Sequence, residues 1–312
     1  MTVTTLPASN SIRARLLRLT TRWLLAPIFR SGYAPELQRQ KLERVTRLSQ
    51  LLMPAGTQFT QNSLGGLRTE WVENLLKGVQ GHLLFFHGGA YVVGSPRTHR
   101  NLTAHLARRC SLRVAAVDYR LAPEDPFPAA TDDALAAYRA LLTQGVPAQQ
   151  IILGGDSAGG GLAMACAIAI RDAGLQPPAG VICISPWVDL TISGESITRQ
   201  SETEVILTPQ VLIDAAALYL NKASTQNPLA SPLFADLRGL PPLLIQVTDA
   251  EILYSDSTRL AEAATRQGVN TTLQVAPGLW HDWQLYAGQM PEADAALELI
   301  AKFVRECLSP RR

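Results

Sequence analysis

A serine in a glycine-framed turn is the first residue of this sequence whose surroundings suggest chemistry. Ser157 lies in the pentapeptide GDSAG at 155–159, directly after the apolar run IILG at 151–154 and before a run of small apolar residues typical of a helix. A tight strand-to-helix turn exposes the serine hydroxyl, and the flanking glycines leave room for the strained backbone. The helix N-terminus favours negative charge that develops there. The pattern therefore indicates a nucleophilic serine for acyl transfer.

A base must take the proton from this serine, because a hydroxyl is a weak nucleophile by itself. In a strand–turn–helix arrangement of this kind, the base follows the serine in the chain. Only His281 satisfies that order, in the loop sequence PGLWHDW after the last predicted strand. The other histidines precede the serine: His82, His87, His99 and His105. His281 is therefore the predicted base.

The acid that orients such a histidine should follow the predicted strand LLIQV at 243–247. The sequence from 248 to 256, TDAEILYSD, offers three carboxylates, of which Asp256 falls within the next predicted helix. Asp249 and Glu251 are therefore the candidates, and their spacing alone does not separate them.

Backbone donors for an oxyanion are predicted just after the strand LLFF at 83–86, where the sequence continues HGGAY. Glycines in such a loop expose their amides. We expect the amides of Gly88 and Gly89, together with that of Ala158, to bind the oxyanion of a tetrahedral intermediate. The loop and the serine turn then belong to one edge of one sheet.

Short apolar runs alternate with helix-compatible stretches from residue 83 onward, which predicts an α/β fold with a mostly parallel central sheet flanked by helices. The predicted strands are 83–86, 114–118, 151–154, 181–185, 243–247 and 272–276. Predicted helices include 131–143 and 158–171. The run RTEWV at 68–72 is expected to add an antiparallel edge strand.

About sixty residues between the strands at 181–185 and 243–247 exceed one crossover helix, so an insertion with lid-like helices is expected. One of these is predicted at 208–220, with Thr208 as N-cap and Pro209 at the first helical position. Another helix is predicted in the Arg- and Leu-rich segment 11–31, and Pro27 should end or kink it. We expect this helix to pack its apolar face on the rest of the protein, and we do not expect membrane contact.

The composition sets limits on function. The 312 residues are 47% hydrophobic and 17% charged, with a net charge of +2, which predicts a folded protein and gives no footprint for a nucleic acid. Four widely spaced cysteines indicate buried thiols, with neither a metal site nor a disulfide framework. No secretory signal or apolar run of spanning length is visible, so we expect a cytoplasmic protein.

The series of motifs resembles the hormone-sensitive-lipase branch (family IV) of the α/β-hydrolase esterases, from about residue 65 to the C-terminus. The motifs are HGGAYVVGSPRTHR, DYRLAPEDPFPAA, GDSAGGGLA, SPWVDL and SPLFADLRGLPPLLIQV. The nearer likeness is to bacterial carboxylesterases and monoterpene ε-lactone hydrolases. The resemblance implies an α/β-hydrolase fold, with a helical cap segment at 1–50 and a catalytic domain at 51–312 that carries a cap insertion at about 190–225.

The resemblance also assigns roles to residues. It implies Ser157 as nucleophile, His281 as base and Glu251 as acid, since Thr248, Glu251 and Leu253 match the family's usual spacing. Thr248 stands where glycine is usual. Ala90 replaces the third glycine of the oxyanion loop, which should alter substrate fit and leave activity intact. Residues expected in the substrate pocket are Ala90, Tyr91 and Trp187.

The predicted function is a serine carboxylesterase that hydrolyses short- to medium-chain esters or lactones through an acyl-enzyme. No metal or cofactor is needed for this chemistry. The alternatives are an amide or formamide hydrolase, a ligand-binding receptor with the same fold, and a membrane-docked lipase that uses the helix at 11–31. The expected partner is a small-molecule substrate, and a homodimer is an option because dimers are common among enzymes.

Overall fold

A computed structural model describes residues 1–6, 11–30, 32 and 34–309 of the chain. The predicted cap segment at 1–50 contains residues 7–10, 31 and 33, and the predicted catalytic domain at 51–312 contains residues 310–312; these residues lie outside the described part of the chain. In the described part of the chain, the strands form a single nine-stranded sheet of order β1-β9-β8-β7-β6-β4-β5-β3-β2. The strands are β1 (Thr2–Thr5), β2 (Thr57–Leu64), β3 (Leu67–Asn74), β4 (Gly81–Phe86), β5 (Leu112–Val117), β6 (Ile151–Asp156), β7 (Gly180–Ile184), β8 (Leu243–Thr248) and β9 (Thr271–Ala276).

The central strands are parallel and buried on both faces. Strands β4 to β9 correspond to the six predicted apolar runs, and each pairs in parallel with its neighbours among them. Continuous apolar runs without alternation are typical of strands that helices cover on both sides. The sheet divides the core into two apolar clusters, one on each face. The α/β architecture predicted from the sequence is confirmed.

The edges of the sheet differ from the prediction. The run 68–72 lies in β3, which pairs antiparallel with β5 as expected. It is not an edge strand, however, because β2 pairs antiparallel with its outer side. Strand β1 was not predicted either, and it extends the opposite edge by pairing in parallel with β9. Both are difficult to recognise because their residues are mostly polar and exposed, which leaves little hydrophobic pattern to read.

Helices cover both faces of the sheet. Helix α5 begins directly after the serine turn, and small apolar side chains let it lie buried along almost its whole length. The helices are α1 (Ile12–Leu24), α2 (Pro35–Thr46), α3 (Arg100–Cys110), α4 (Ala129–Thr143), α5 (Ala158–Asp172), α6 (Ser196–Arg199), α7 (Pro209–Leu220), α8 (Tyr254–Arg266) and α9 (Pro291–Leu308), joined by 3₁₀ turns at Ala26–Phe29, Arg47–Leu52, Pro96–His99, Ala148–Gln150, Pro232–Phe234 and Trp283–Tyr286.

The helix predicted at 208–220, in the segment between β7 and β8, is confirmed. Helix α7 begins at Pro209, and the hydroxyl of Thr208 accepts a hydrogen bond from the amide of Val211 at 3.2 Å. The hydroxyl therefore satisfies one of the free amides of the first turn. The short helix α6 precedes α7 in the same segment between β7 and β8.

Helix α1 differs from the prediction in which side it buries. Its C-terminus precedes the 3₁₀ turn that contains Pro27, as expected. Leu17, Leu25 and Phe29 pack against the core. The expectation that the whole apolar face packs inward is wrong, because Leu16 and Leu19 face solvent. The helix has apolar residues on two sides, and only the side that contacts the rest of the protein buries them.

Candidate active site

Ser157 lies at the sharp turn between β6 and α5, in a strained backbone conformation with φ 53° and ψ −123°. The turn depends on glycine at 155 and 159. A Cβ on Gly155 would overlap the carbonyl of Gly159, and a Cβ on Gly159 would overlap the carbonyl of Phe86. The helix therefore approaches β4 closely only because these side chains are absent. The result places Ser157 at the N-terminus of a helix, in the wall of a cleft.

His281 lies within hydrogen-bond reach of Ser157. It belongs to the loop after β9, and its Nε2 is 3.0 Å from the hydroxyl oxygen Oγ of Ser157. Its Nδ1 is 3.2 Å from Oε1 of Glu251, in the loop after β8. With the proton on Nδ1, His281 donates to Glu251, and its Nε2 is free to accept from Ser157. Loops from three parallel strands thus bring a serine, a histidine and a carboxylate into one line.

The structure separates the two candidate acids that spacing left open. Asp249 is exposed, and its Oδ1 accepts from the amide of Gly278 at 2.8 Å, so it braces the loop that leads to His281. Asp256, in α8 as predicted, accepts from the amides of Val188 and Asp189, both at 2.9 Å. Of the three carboxylates after β8, only Glu251 contacts the imidazole.

Burial and charge set the protonation behaviour of Glu251. Burial raises the pKa of its carboxyl group, while the His281 imidazole lowers it without cancelling that effect. The hydroxyl of Ser185 donates to Oε2 of Glu251 at 2.8 Å. Glu204 adds a second negative charge nearby and is itself held by the amides of Val205, Ile206 and Ile252. Sequence reasoning missed Glu204, because it lies in the irregular part of the insertion.

Asp282 is a second carboxylate that contacts the base, His281. The sequence analysis did not identify it. Its Oδ2 is 3.0 Å from Nε2 of His281, the same ring atom that faces Ser157. Burial lowers the pKa of His281, but the charges of Asp282 and Glu251 outweigh it and leave that pKa well above its usual value. Burial in turn raises the pKa of Asp282 to about 7. Its position next to His281 in WHDW was the available signal.

The loop after β4 presents backbone amides beside the serine. The amides of Gly88 and Gly89 donate to no other described residue, and that of Ala158 is the first of α5 and so lacks a partner within the helix. Gly89 has φ 124°, a region that side chains rarely adopt, and a Cβ on Gly88 would overlap the carboxylate of Asp156. These amides are free to donate to a negative oxygen.

Side chains beneath this loop hold it in place. The hydroxyl of Tyr119 donates to the carbonyl of His87 at 2.6 Å, and the two rings stack at 4.4 Å. Nε2 of His99 is 3.1 Å from Oδ2 of Asp156, next to the serine. Arg39 of α2 donates to the carbonyl of Val92 at 2.8 Å. The loop is therefore tied both to the sheet and to the N-terminal helices.

A largely apolar cleft opens at the serine. Ala90 and Trp187 line it, as expected for pocket residues. Tyr91 does not, which differs from the prediction. Its ring is buried and stacks on that of Tyr219 at 3.9 Å, because the left-handed backbone at Tyr91 turns the side chain into the core. Side chains from the N-terminal helices and the insertion complete the wall: Leu25, Phe29, Leu42, Ile206, Leu207 and Leu212.

Two other kinds of site are absent from the described part of the chain. No group of three His, Cys, Asp or Glu side chains is arranged to hold a metal ion. Among the described helices, none is both long and apolar enough to cross a membrane.

Comparison with known proteins identifies the family. Residues 83–285 match the family described as "alpha/beta hydrolase fold". The chain is 44% identical to an acetyl-hydrolase of Streptomyces hygroscopicus over 78% of its length and 81% of the relative, and 38% identical to an esterase of Acinetobacter venetianus over 86% and 88%. A crystal structure of an esterase from the bacterial hormone-sensitive lipase family covers 96% of this chain and 100% of its own, with TM-score 0.91 and 38% identity.

The chain therefore belongs to the alpha/beta hydrolase family. Within it, the protein is a carboxylic ester hydrolase of the hormone-sensitive-lipase type, as the sequence motifs indicate.

Proposed function

We propose that the protein hydrolyses short- to medium-chain carboxylic esters or lactones through an acyl-enzyme on Ser157. The observation that carries this proposal is the line from Ser157 Oγ to His281 Nε2, at 3.0 Å, and from His281 Nδ1 to Glu251 Oε1, at 3.2 Å. A base at this distance takes the serine proton as the oxygen attacks a carbonyl carbon.

The first half of the reaction forms the acyl-enzyme. Oγ of Ser157 bonds to the carbonyl carbon, its proton moves to Nε2 of His281, and the carbonyl electron pair becomes an oxyanion. The amides of Gly88, Gly89 and Ala158 donate to that oxygen. When the oxyanion collapses, the bond to the alkoxide breaks and His281 returns the proton to it. With a lactone, the leaving alcohol stays attached to the acyl group.

The second half releases the acid. Water gives a proton to His281 as it attacks the acyl carbon, and the second collapse returns that proton to Ser157. Glu251 holds the imidazole in the tautomer that accepts at Nε2 and stabilises its charged form. Asp249, by this assignment, supports the loop and does not take part in proton transfer.

The cleft supports an uncharged, modestly apolar substrate. Its walls come mainly from apolar side chains, with Ala90 and Trp187 next to the serine. We assign the segments at 1–50 and about 190–225 to a cap, because Leu25, Phe29 and Leu212 from these segments line the cleft at Ser157. A cytoplasmic location and a homodimer stay predictions from the sequence.

Hydrolysis of matched aryl esters, from acetyl to dodecanoyl, together with an ε-lactone and a matched anilide, tests the function. We expect the wild type to favour the shorter esters and to hydrolyse the anilide far more slowly. Ser157→Ala should lose about 10⁴-fold or more in kcat, whereas Ser63→Ala, an exposed serine of β2, should keep full activity. Intact-mass measurement during turnover should show one acyl group on the wild type and none on Ser157→Ala. A folded wild type without ester or lactone turnover would contradict the proposal, and faster anilide turnover would favour an amidase.

A further inference from the structure

The outward face of α1 carries an exposed apolar stripe. Ile12, Leu16, Leu19 and Trp23 recur at intervals of four, three and four residues, which places them along one side of the helix. Their exposed fractions are 74%, 59%, 56% and 77%. Scattered exposed leucines are ordinary on a protein surface, but a continuous stripe along a helix marks an interaction surface.

The opposite side of the same helix anchors it to the protein. Ala14 and Thr21 are buried there. The hydroxyl of Ser11 caps the helix by accepting from the amide of Ala14 and donates to Glu292 of α9. Arg18 donates to the carbonyl of Gly278 at 3.0 Å. The stripe is therefore presented on a fixed support, and its exposure does not arise from a detached helix.

Positive charge surrounds the stripe. Helix α1 contains four arginines and no aspartate or glutamate. Arg13 lies on one side of the stripe, Arg15 and Arg22 lie on the other, and all three are exposed. An apolar helix face that contains tryptophan and has arginines along its borders is typical of helices that lie in the headgroup region of a lipid bilayer.

Three more exposed leucines follow α2, and one of them lines a cavity beside the active-site cleft. Leu48, Leu51 and Leu52 of the 3₁₀ turn after α2 have exposed fractions of 68%, 82% and 51%. A second cavity is lined by Leu24 of α1 together with Leu48. It shares wall residues with the cleft at Ser157, namely Leu25, Thr46, Thr98 and Leu285. The second cavity therefore adjoins the cleft at Ser157.

We propose that this surface, the basic apolar face (the stripe of Ile12, Leu16, Leu19 and Trp23 with its arginines), binds reversibly to an anionic lipid surface. From the sequence, membrane contact is not expected because the apolar face of α1 is expected to pack inward; the observed exposure of the stripe removes that reason. Charge favours lipid over a second copy of this chain, since two such faces would bring arginines against arginines. The predicted cytoplasmic location is compatible, because the cytoplasmic leaflet is anionic.

Docking by this face would hold the protein at the surface where lipophilic esters dissolve. This consequence rests on the proposed esterase function, whereas binding to lipid does not. An experiment that measures lipid binding without catalysis therefore tests the lipid proposal independently of the esterase proposal.

Vesicle binding tests the proposal with the full chain. The probes are vesicles of phosphatidylcholine alone and of phosphatidylcholine with phosphatidylglycerol, measured by co-sedimentation at low and high salt. We expect binding to the anionic vesicles that weakens with salt, and at least tenfold weaker binding for Leu19→Ser/Trp23→Ser and for Arg13→Glu/Arg22→Glu. Leu75→Ser is the matched control, an exposed leucine in the turn before β4, at the end of the sheet opposite the active site.

Tryptophan fluorescence reports whether the stripe enters the lipid, and it can be measured on the wild-type protein. Of the five tryptophans, only Trp23 is exposed; the buried ones are Trp71, Trp187, Trp280 and Trp283. Anionic vesicles should shift the emission to the blue, brominated lipid should quench it, and Trp23→Phe should bind while losing both signals. Absence of binding, binding that ignores lipid charge, or a dimer in which Trp23 is covered would each overturn the proposal. Lipid binding without ester hydrolysis would overturn only the proposed function.

Discussion

Replacing Glu251 by Gln removes the charge that faces His281 and keeps the shape of the side chain. The amide cannot satisfy both of its neighbours. If its oxygen accepts from Nδ1 of His281, its NH₂ group meets the amide of Thr248, which lies 3.5 Å from the present Oε2. If its NH₂ group faces Nδ1, the imidazole must carry its proton on Nε2 and can no longer accept from Ser157.

The size of the effect follows from the distance. An imidazolium and a carboxylate 3.2 Å apart attract each other by about 5 kcal/mol at an effective dielectric constant of about 20. Because about 1.4 kcal/mol corresponds to tenfold in rate, full loss of that attraction in the transition state would lower kcat by almost 10⁴-fold. We expect a loss of about 10³- to 10⁴-fold in kcat with a smaller change in KM.

The assay is steady-state hydrolysis of a short-chain aryl ester by the wild type, Glu251→Gln and Asp249→Asn, with thermal unfolding of each as a check on folding. Asp249 is exposed, and Asn can still accept from the amide of Gly278, so Asp249→Asn should cost no more than about twofold. A loss below about tenfold in Glu251→Gln, or a larger loss in Asp249→Asn, would refute the assignment of the acid.

Three further predictions follow from the site and the fold. Asp282→Asn removes one of the charges that keep the pKa of His281 high, so the acid limb of kcat/KM, where the base becomes protonated, should move to lower pH; an unmoved limb in a pH–rate profile would contradict this. Asparagine tolerates the φ of 57° at this position, so the variant should fold. Thr208→Ala removes the cap from Val211 and should cost about 1 kcal/mol of unfolding free energy in urea. Gly89→Ala forces a Cβ onto a left-handed backbone against a neighbouring carbonyl and should lower kcat by about 10²-fold or more, since the oxyanion loop must move; a near-normal kcat would show that the loop does not need glycine there.

The parts of the fold that could be predicted are those that leave a local hydrophobic signal. Strands β4 to β9 are short apolar runs, and α7 begins at a Thr-Pro pair that marks a helix start. Strands β1 and β2 were not predictable in this way, because their mostly exposed residues form strands only where a neighbouring edge offers hydrogen-bond partners. Helix α1 was predictable, but the side it buries was not, since both sides carry apolar residues.

The amino-acid sequence by itself determined the α/β class, the turn that holds Ser157 and the candidacy of His281. These depend on neighbouring residues, on chain order and on the small number of histidines. Only the tertiary structure decided that Glu251 and not Asp249 contacts the imidazole, that Asp282 lies on the same ring atom as Ser157, and that Tyr91 packs away from the cleft. Those outcomes depend on how loops from different strands meet in space, because that meeting sets the direction of each side chain. The family's spacing implied Glu251 as the acid, but only the structure shows its contact with His281.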